Sequence, residues 1–94
     1  MLDKKIILKA IEKVMDPELG ISIIEMNLID KVEINKGNVF VEFHLSTPAC
    51  PMEFALKIAS DVKEAAQKVS GVKSVKINVV GHYMAEHINK EVNK

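Results

Sequence analysis

Two alternating runs joined by a turn constrain this chain most. Residues 28–34 place Leu28, Val32 and Ile34 on one face of an extended segment and Lys31 and Glu33 on the other, with Asp30 breaking the apolar series. Residues 39–45 repeat the pattern, with Val41, Phe43 and Leu45 facing one way and Phe40, Glu42 and His44 the other. A period of two marks a half-buried strand, because successive side chains leave opposite faces of a pleated backbone. Asn35-Lys36-Gly37-Asn38 stands between the runs and has the chemistry of a tight hairpin turn. A hairpin with one apolar face needs other elements to cover it.

The rest of the chain supplies that cover. Ile6, Ile7, Ala10, Ile11 and Val14 recur at three-to-four spacing, which predicts a helix over 3–15 with Asp3 as N-cap and Pro17 as terminator. A second helix is expected over 51–69, with Phe54, Ile58, Val62, Ala65 and Val69 inward and its lysine and glutamate run in solvent. Residues 72–80 read as a third strand, with Val75, Ile77 and Val79 inward. A short terminal helix over 82–92 would carry His82, Tyr83, Met84, His87 and Ile88. The expected fold is α+β: one domain over residues 1–94, a two-layer α-β-β-α-β sandwich with a short C-terminal helix on a mixed three-stranded sheet. Residues 39–80 should form a right-handed parallel crossover. Between the first helix and the first strand, 16–27 make a long loop whose Ile21, Ile23 and Ile24 should pack down.

Charge narrows the partners. Thirteen acidic residues balance thirteen basic ones, so no overall field draws the chain to nucleic acid or an anionic membrane. No apolar run approaches a membrane span, and Met1-Leu2-Asp3-Lys4-Lys5 leads into an amphipathic pattern rather than a signal peptide. A cytoplasmic protein is expected. The chain has one cysteine, Cys50, which excludes an internal disulfide and suits a reducing compartment. One cysteine also cannot supply a four-thiolate metal site.

The topology gives Cys50 neighbours. Antiparallel pairing of the first two strands sets the end of the second beside the start of the first, and a parallel third strand ends on the same side. Loops bearing Asp16, Pro17 and Glu18, then Cys50, then Gly81, His82 and Tyr83 should meet there. If Pro51 is the first helical residue, Cys50 is the N-cap, where the helix dipole favours thiolate. Glu53 could reach back to the cap as in a capping box, and its charge opposes that effect. Plainer readings compete: Cys50 can be a packed, inert cysteine. Asp16 can serve only its own turn. His82 and His87 lie five apart, off the best spacing for one helix face, and His44 and Phe40 belong to the solvent face of the sheet.

Asp16-Pro17-Glu18-Leu19-Gly20-Ile21, then a hairpin, then Thr47-Pro48-Ala49-Cys50-Pro51 resemble the metal–sulfur cluster biosynthesis family, once called domain of unknown function fifty-nine. Its relatives include SufT-like and PaaD-like proteins and the eukaryotic cytosolic iron–sulfur targeting factor. The resemblance spans about residues 3–80. It implies a helix–hairpin–helix–strand fold and a role in maturing iron–sulfur proteins, with Cys50 as the key thiol and metal ligand. Asp16, Pro17, Glu18, Thr47 and Pro51 match other signature positions, and Thr47 would hydrogen-bond the loop or the sulfur. Two stretches depart from the pattern. Met26-Asn27-Leu28 replaces Leu-Gly-Leu, with Asn able to take the left-handed angles of a glycine, and Gly81-His82-Tyr83-Met84-Ala85-Glu86-His87 replaces a tail rich in tryptophan and proline.

The leading expectation is a non-enzymatic carrier or adaptor that holds an iron–sulfur cluster transiently through Cys50, with Thr47, Asp16 and Glu18 around it. The cluster could be shared across a homodimer, and the partners would be client iron–sulfur proteins and other assembly proteins. One alternative is an interaction module without cluster chemistry, working through Phe40 or Tyr83. The other is a thiol enzyme with His82 or His44 as base to Cys50.

Overall fold

The structure, a computed structural model, describes residues 2–17, 19–45 and 51–93. Its elements run α1 (Lys4–Ile11), β1 (Ile29–Asn35), β2 (Asn38–His44), α2 (Met52–Gln67), β3 (Ser74–Val80) and α3 (Ala85–Val92). The sheet order is β1-β2-β3, with β1 antiparallel and β3 parallel to β2. The α-β-β-α-β-α order on a mixed sheet is the one expected.

The hairpin forms where the turn residues place it. Lys36 (φ 52°) and Gly37 (φ 86°) both take positive φ, the signature of a type I′ turn, whose twist matches that of the flanking strands. Val41, Phe43 and Leu45 are buried, as are Val75, Ile77 and Val79 on β3. One irregularity interrupts β1: Ile29 pairs with Phe43 but Lys31 with Glu42, so Asp30 is an extra, bulged residue. Its carboxylate meets His44 Nδ1 at 2.9 Å on the solvent face. Phe40, expected in full solvent, is half-buried on that face, in register with Glu33 and Lys76.

Helices α1 and α2 lie on the apolar face, with adjustments. Asp3 caps α1 as expected, its Oδ1 accepting the Ile6 N–H at 3.0 Å. The helix stops at Ile11, well short of Pro17. The Ser22 hydroxyl donates to the Glu12 carbonyl at 2.7 Å, and Met15 enters a short bridge with Ser22, so a contact from the following loop draws the chain out of the helix. Ile7, Ile11 and Val14 are buried, but Ile6 is 41% exposed and lies off the core stripe. On α2 the buried line is Ala55, Ile58, Ala59, Val62 and Ala66, rotated from the stripe read in the sequence. Phe54, Ala65 and Val69 pack at its margin. The small alanines let α2 approach the sheet closely, and each fully buried Ile adds about 1.5–3 kcal/mol.

The helix α3 closes the free edge of β3. Asn89 Oδ1 accepts the Val79 N–H at 2.6 Å, and its Nδ2 donates to the Val79 carbonyl at 3.1 Å. Asn93 treats Ile77 likewise, at 2.9 and 2.7 Å. Four residues of helix rise about 6 Å and two residues of strand about 6.6 Å, so side-chain amides four apart meet strand residues two apart. Ile88 and Val92 are buried and fix α3 in place.

Candidate functional site

The strand register fixes where chain ends meet. Ile29 pairs with Phe43 and His44 with Val80, so the start of β1, the end of β2 and the end of β3 share one end of the sheet. The long loop before β1 is tied to that end by backbone bonds: His44 N–H to Leu28 O (3.0 Å), Leu28 N–H to Ile23 O (3.1 Å), and Ile23 N–H to Val14 O (3.0 Å). Ile23 is fully buried and Ile24 half-buried, so the loop packs down there, while Ile21 stays 41% exposed. Asn27 takes φ 56°, the left-handed angle a glycine would hold, and the turn into β1 survives the substitution.

Asp16 is the one expected site carboxylate within the described residues, and it is buried. Its N–H donates to Ile21 O at 2.9 Å, its carbonyl accepts from Gly20 N at 2.8 Å, and its Oδ1 accepts from Leu19 N at 3.2 Å. The side chain therefore builds its own turn, with Gly20 at φ 67° completing it. Glu18, Thr47 and Cys50, named from the sequence as site residues, lie outside the described residues.

The start of α2 corrects one expectation. Pro51 has φ −53° and ψ 136°, a non-helical pair, and its carbonyl accepts from Phe54 N (3.0 Å) and Ala55 N (3.1 Å). A residue with extended angles whose carbonyl takes the first helical bond is the N-cap. Pro51, not Cys50, is therefore the N-cap of α2, and it caps the helix rather than opening it. A proline cap has no N–H for Glu53 to bond, and the cap carries no side-chain hydrogen bond.

His82 follows β3 at this end of the sheet and is buried. Its Nδ1 accepts the Met84 N–H at 2.9 Å. An accepting nitrogen carries no proton, so in the neutral ring the proton sits on Nε2 and neither nitrogen offers a free lone pair. Through this bond His82 shapes the turn into α3. Tyr83 stacks on it at 4.7 Å between ring centroids and is 68% exposed. His44 is engaged with Asp30 on the solvent face, as a surface histidine would be.

Among the described residues, no three of His, Cys, Asp and Glu gather closely enough to hold a metal ion. No described helix is long and apolar enough to cross a membrane. Besides Ile6 on α1, the exposed large apolar side chains among the described residues are Met15, Leu19 and Ile21 between α1 and β1, and Tyr83 after β3. The sequence reading passed over Asn89 and Asn93. Two asparagines four apart, one within the predicted helix and one just past its end, where asparagine is a poor helix former, were the available signal.

Known proteins resemble this chain over most of its length. A family model described as iron-sulfur cluster assembly protein matches residues 4–79. An uncharacterized protein of Methanocaldococcus jannaschii is 40% identical over 96% of this chain and 94% of its own. The Fe-S protein maturation auxiliary factor YitW of Bacillus subtilis is 32% identical over 82% of this chain and 74% of its own. An iron-sulfur cluster carrier protein of Synechocystis is 39% identical over 84% of this chain, which spans only 22% of that longer protein. The crystal structure of a domain of unknown function from Bacillus anthracis superposes with TM-score 0.74 at 29% identity, covering 94% of this chain and 84% of that one.

Proposed function

The chain belongs to the iron–sulfur cluster assembly protein family, and from that membership we propose that it serves the maturation of iron–sulfur proteins as a carrier or adaptor. The cluster is its cargo, not a resident group. One cysteine cannot complete a cluster's ligand set, and no other described residues gather to hold a metal. The remaining ligands then come from the client, another assembly protein, a second subunit or a small thiol. Such a role is non-enzymatic and belongs in a reducing compartment such as the cytoplasm.

The observation that carries this reading is the convergence of three chain ends. The end of β2, which leads toward Thr47 and Cys50, shares an end of the sheet with the start of β1 and the end of β3, and the Asp16 loop is hydrogen-bonded to it. In this reading Cys50 is the thiolate ligand, Thr47 steadies the loop or the sulfur, Asp16 holds its loop in shape and Glu18 completes the rim. The exposed Met15, Leu19, Ile21 and Tyr83 offer clients apolar contacts.

A maturation assay tests it, with a recipient iron–sulfur enzyme activated in extract depleted of this protein. Wild type restores recipient activity, Cys50→Ala does not, and Tyr83→Ala weakens the effect by lowering recipient capture. If Cys50→Ala matures the recipient as wild type does while Tyr83→Ala abolishes it, the chain is an interaction module and the carrier reading fails.

A further inference from the structure

The two edges of the sheet are treated differently. The β3 edge is sealed, its Ile77 and Val79 backbone groups taken by Asn93 and Asn89. Among the described residues the β1 edge has no such cover. In a two-residue hairpin the residues flanking the turn exchange both ladder bonds, and the pattern then alternates. Asn35, Glu33 and Lys31 therefore bond to β2, while the N–H and C=O groups of Val32 and Ile34 point away from the sheet. An open groove of about 260 Å³ runs beside this edge, its apolar lining drawn from Leu8, Ile24, Ile29 and Val32 and its charged lining from Lys4, Asp30 and Lys31.

We propose that β1 pairs with β1 of a second copy of this chain, antiparallel and centred on Val32, joining two three-stranded sheets into one of six strands. The charge pattern of the strand selects both occupant and register. Lys31 and Glu33 flank Val32 on the solvent face, about half exposed, and among the described residues their ion pairing is with each other, at 3.8 Å. With Val32 opposite Val32, Lys31 of each copy faces Glu33 of the other, so two opposite-charge cross-strand pairs form at once. The ladder also allows Val32 opposite Ile34, but that register sets Glu33 against Glu33, a repulsive pair. The same charges deter pairing with an unrelated edge.

The apolar side of the strand agrees. In the Val32-centred register Ile34 of one copy lies across from the backbone of the bulged Asp30 of the other, whose carboxylate is turned to His44 on the solvent face, and beside the groove along residues 29–32. Ile34 is half-buried on the inner face at the hairpin end. The second copy extends its cover and fills the groove. The dimer has a consequence for the site. Antiparallel pairing turns the two converging loop ends in opposite directions, about 20 Å apart measured between the two Ile29 positions at about 3.3 Å per residue. The inference does not depend on the proposed function.

Charge exchange tests it, with mass read by sedimentation equilibrium over a concentration series. Wild type is expected to form dimers, more weakly at high salt. Lys31→Glu alone makes both positions acidic, and Glu33→Lys alone makes both basic. Each homodimer would then set like charges opposite one another twice, so each variant should be monomeric. Mixed in equal amounts, the acidic strand of the first variant meets the basic strand of the second. Both cross-strand pairs regain opposite charges, and the heterodimer should return to wild-type strength. Circular dichroism of each variant controls for folding. A wild type that stays monomeric at every concentration overturns the proposal. So do single variants that dimerise like wild type, or a mixture that remains monomeric although both variants are folded.

Discussion

Replacing Asn89 by alanine isolates what the side-chain seal on β3 contributes. The change removes the acceptor of the Val79 N–H (2.6 Å) and one donor to the Val79 carbonyl (3.1 Å), and it frees Asn78 Oδ1 (3.0 Å). Val79 is 1% exposed, so its backbone groups lie in a dry setting, whereas Asn89 is itself half-buried and its loss admits some water. A buried backbone group without a partner costs about 1–3 kcal/mol. Two groups near the low end of that range give a loss of about 2–3 kcal/mol. For a domain of this size that lowers Tm by about 10–20 °C. Asn89→Asp should be worse than alanine, because its second oxygen faces the Val79 carbonyl and Asn78 Oδ1 where an amide NH2 belongs. Urea denaturation gives the free energy, and hydrogen exchange gives the site. The Val79 amide should lose protection before the amides that bond across the sheet. A loss below about 0.5 kcal/mol, the range of neutral surface changes, with Val79 still protected, would refute the idea that α3 acts as a substitute strand.

Other changes test the loop. Asn27 holds φ 56°. Asn27→Gly should leave urea stability unchanged or raise it slightly, while Asn27→Val should cost about 1–2 kcal/mol from left-handed strain. At Asp16, Asn keeps an oxygen for the Leu19 N–H and Ala does not. Asp16→Ala should lose about 1–2 kcal/mol and Asp16→Asn clearly less, again by urea denaturation. In the hairpin, Gly37 has φ 86°, and a Cβ there would meet Lys73 Cγ at 2.9 Å and the Gly71 carbonyl at 3.1 Å. Gly37→Ala should cost about 1–3 kcal/mol by thermal unfolding.

Where periodicity alone decides, the sequence was a good guide. The alternation of Val41, Phe43 and Leu45 and of Val75, Ile77 and Val79 requires only that strand side chains point alternately, and those residues are buried. Lys36-Gly37 requires only local backbone freedom, and Asn27 likewise takes the left-handed angle expected of it. The parts that were hidden depend on distant contacts. The end of α1 is set by Ser22, ten residues beyond Glu12, rather than by Pro17. The role of Asn89 and Asn93 exists only once α3 lies along β3, and it left no periodic trace. Pro51 differs from the reading by one position, because a proline suits both the cap and the first helical residue and its ψ decides between them. The convergence of the start of β1 with the ends of β2 and β3 follows from strand directions alone, and the register bears it out.

Anaerobic reconstitution with iron and sulfide, followed by native mass measurement, tests the central claim most directly. Wild type, supplied with a small thiol, is predicted to gain the mass of iron and sulfide with the matching visible absorption. Cys50→Ala, folded to the same degree by circular dichroism, should gain none. Equal uptake by wild type and Cys50→Ala, or no uptake by wild type with either a thiol or a recipient protein present, would contradict it.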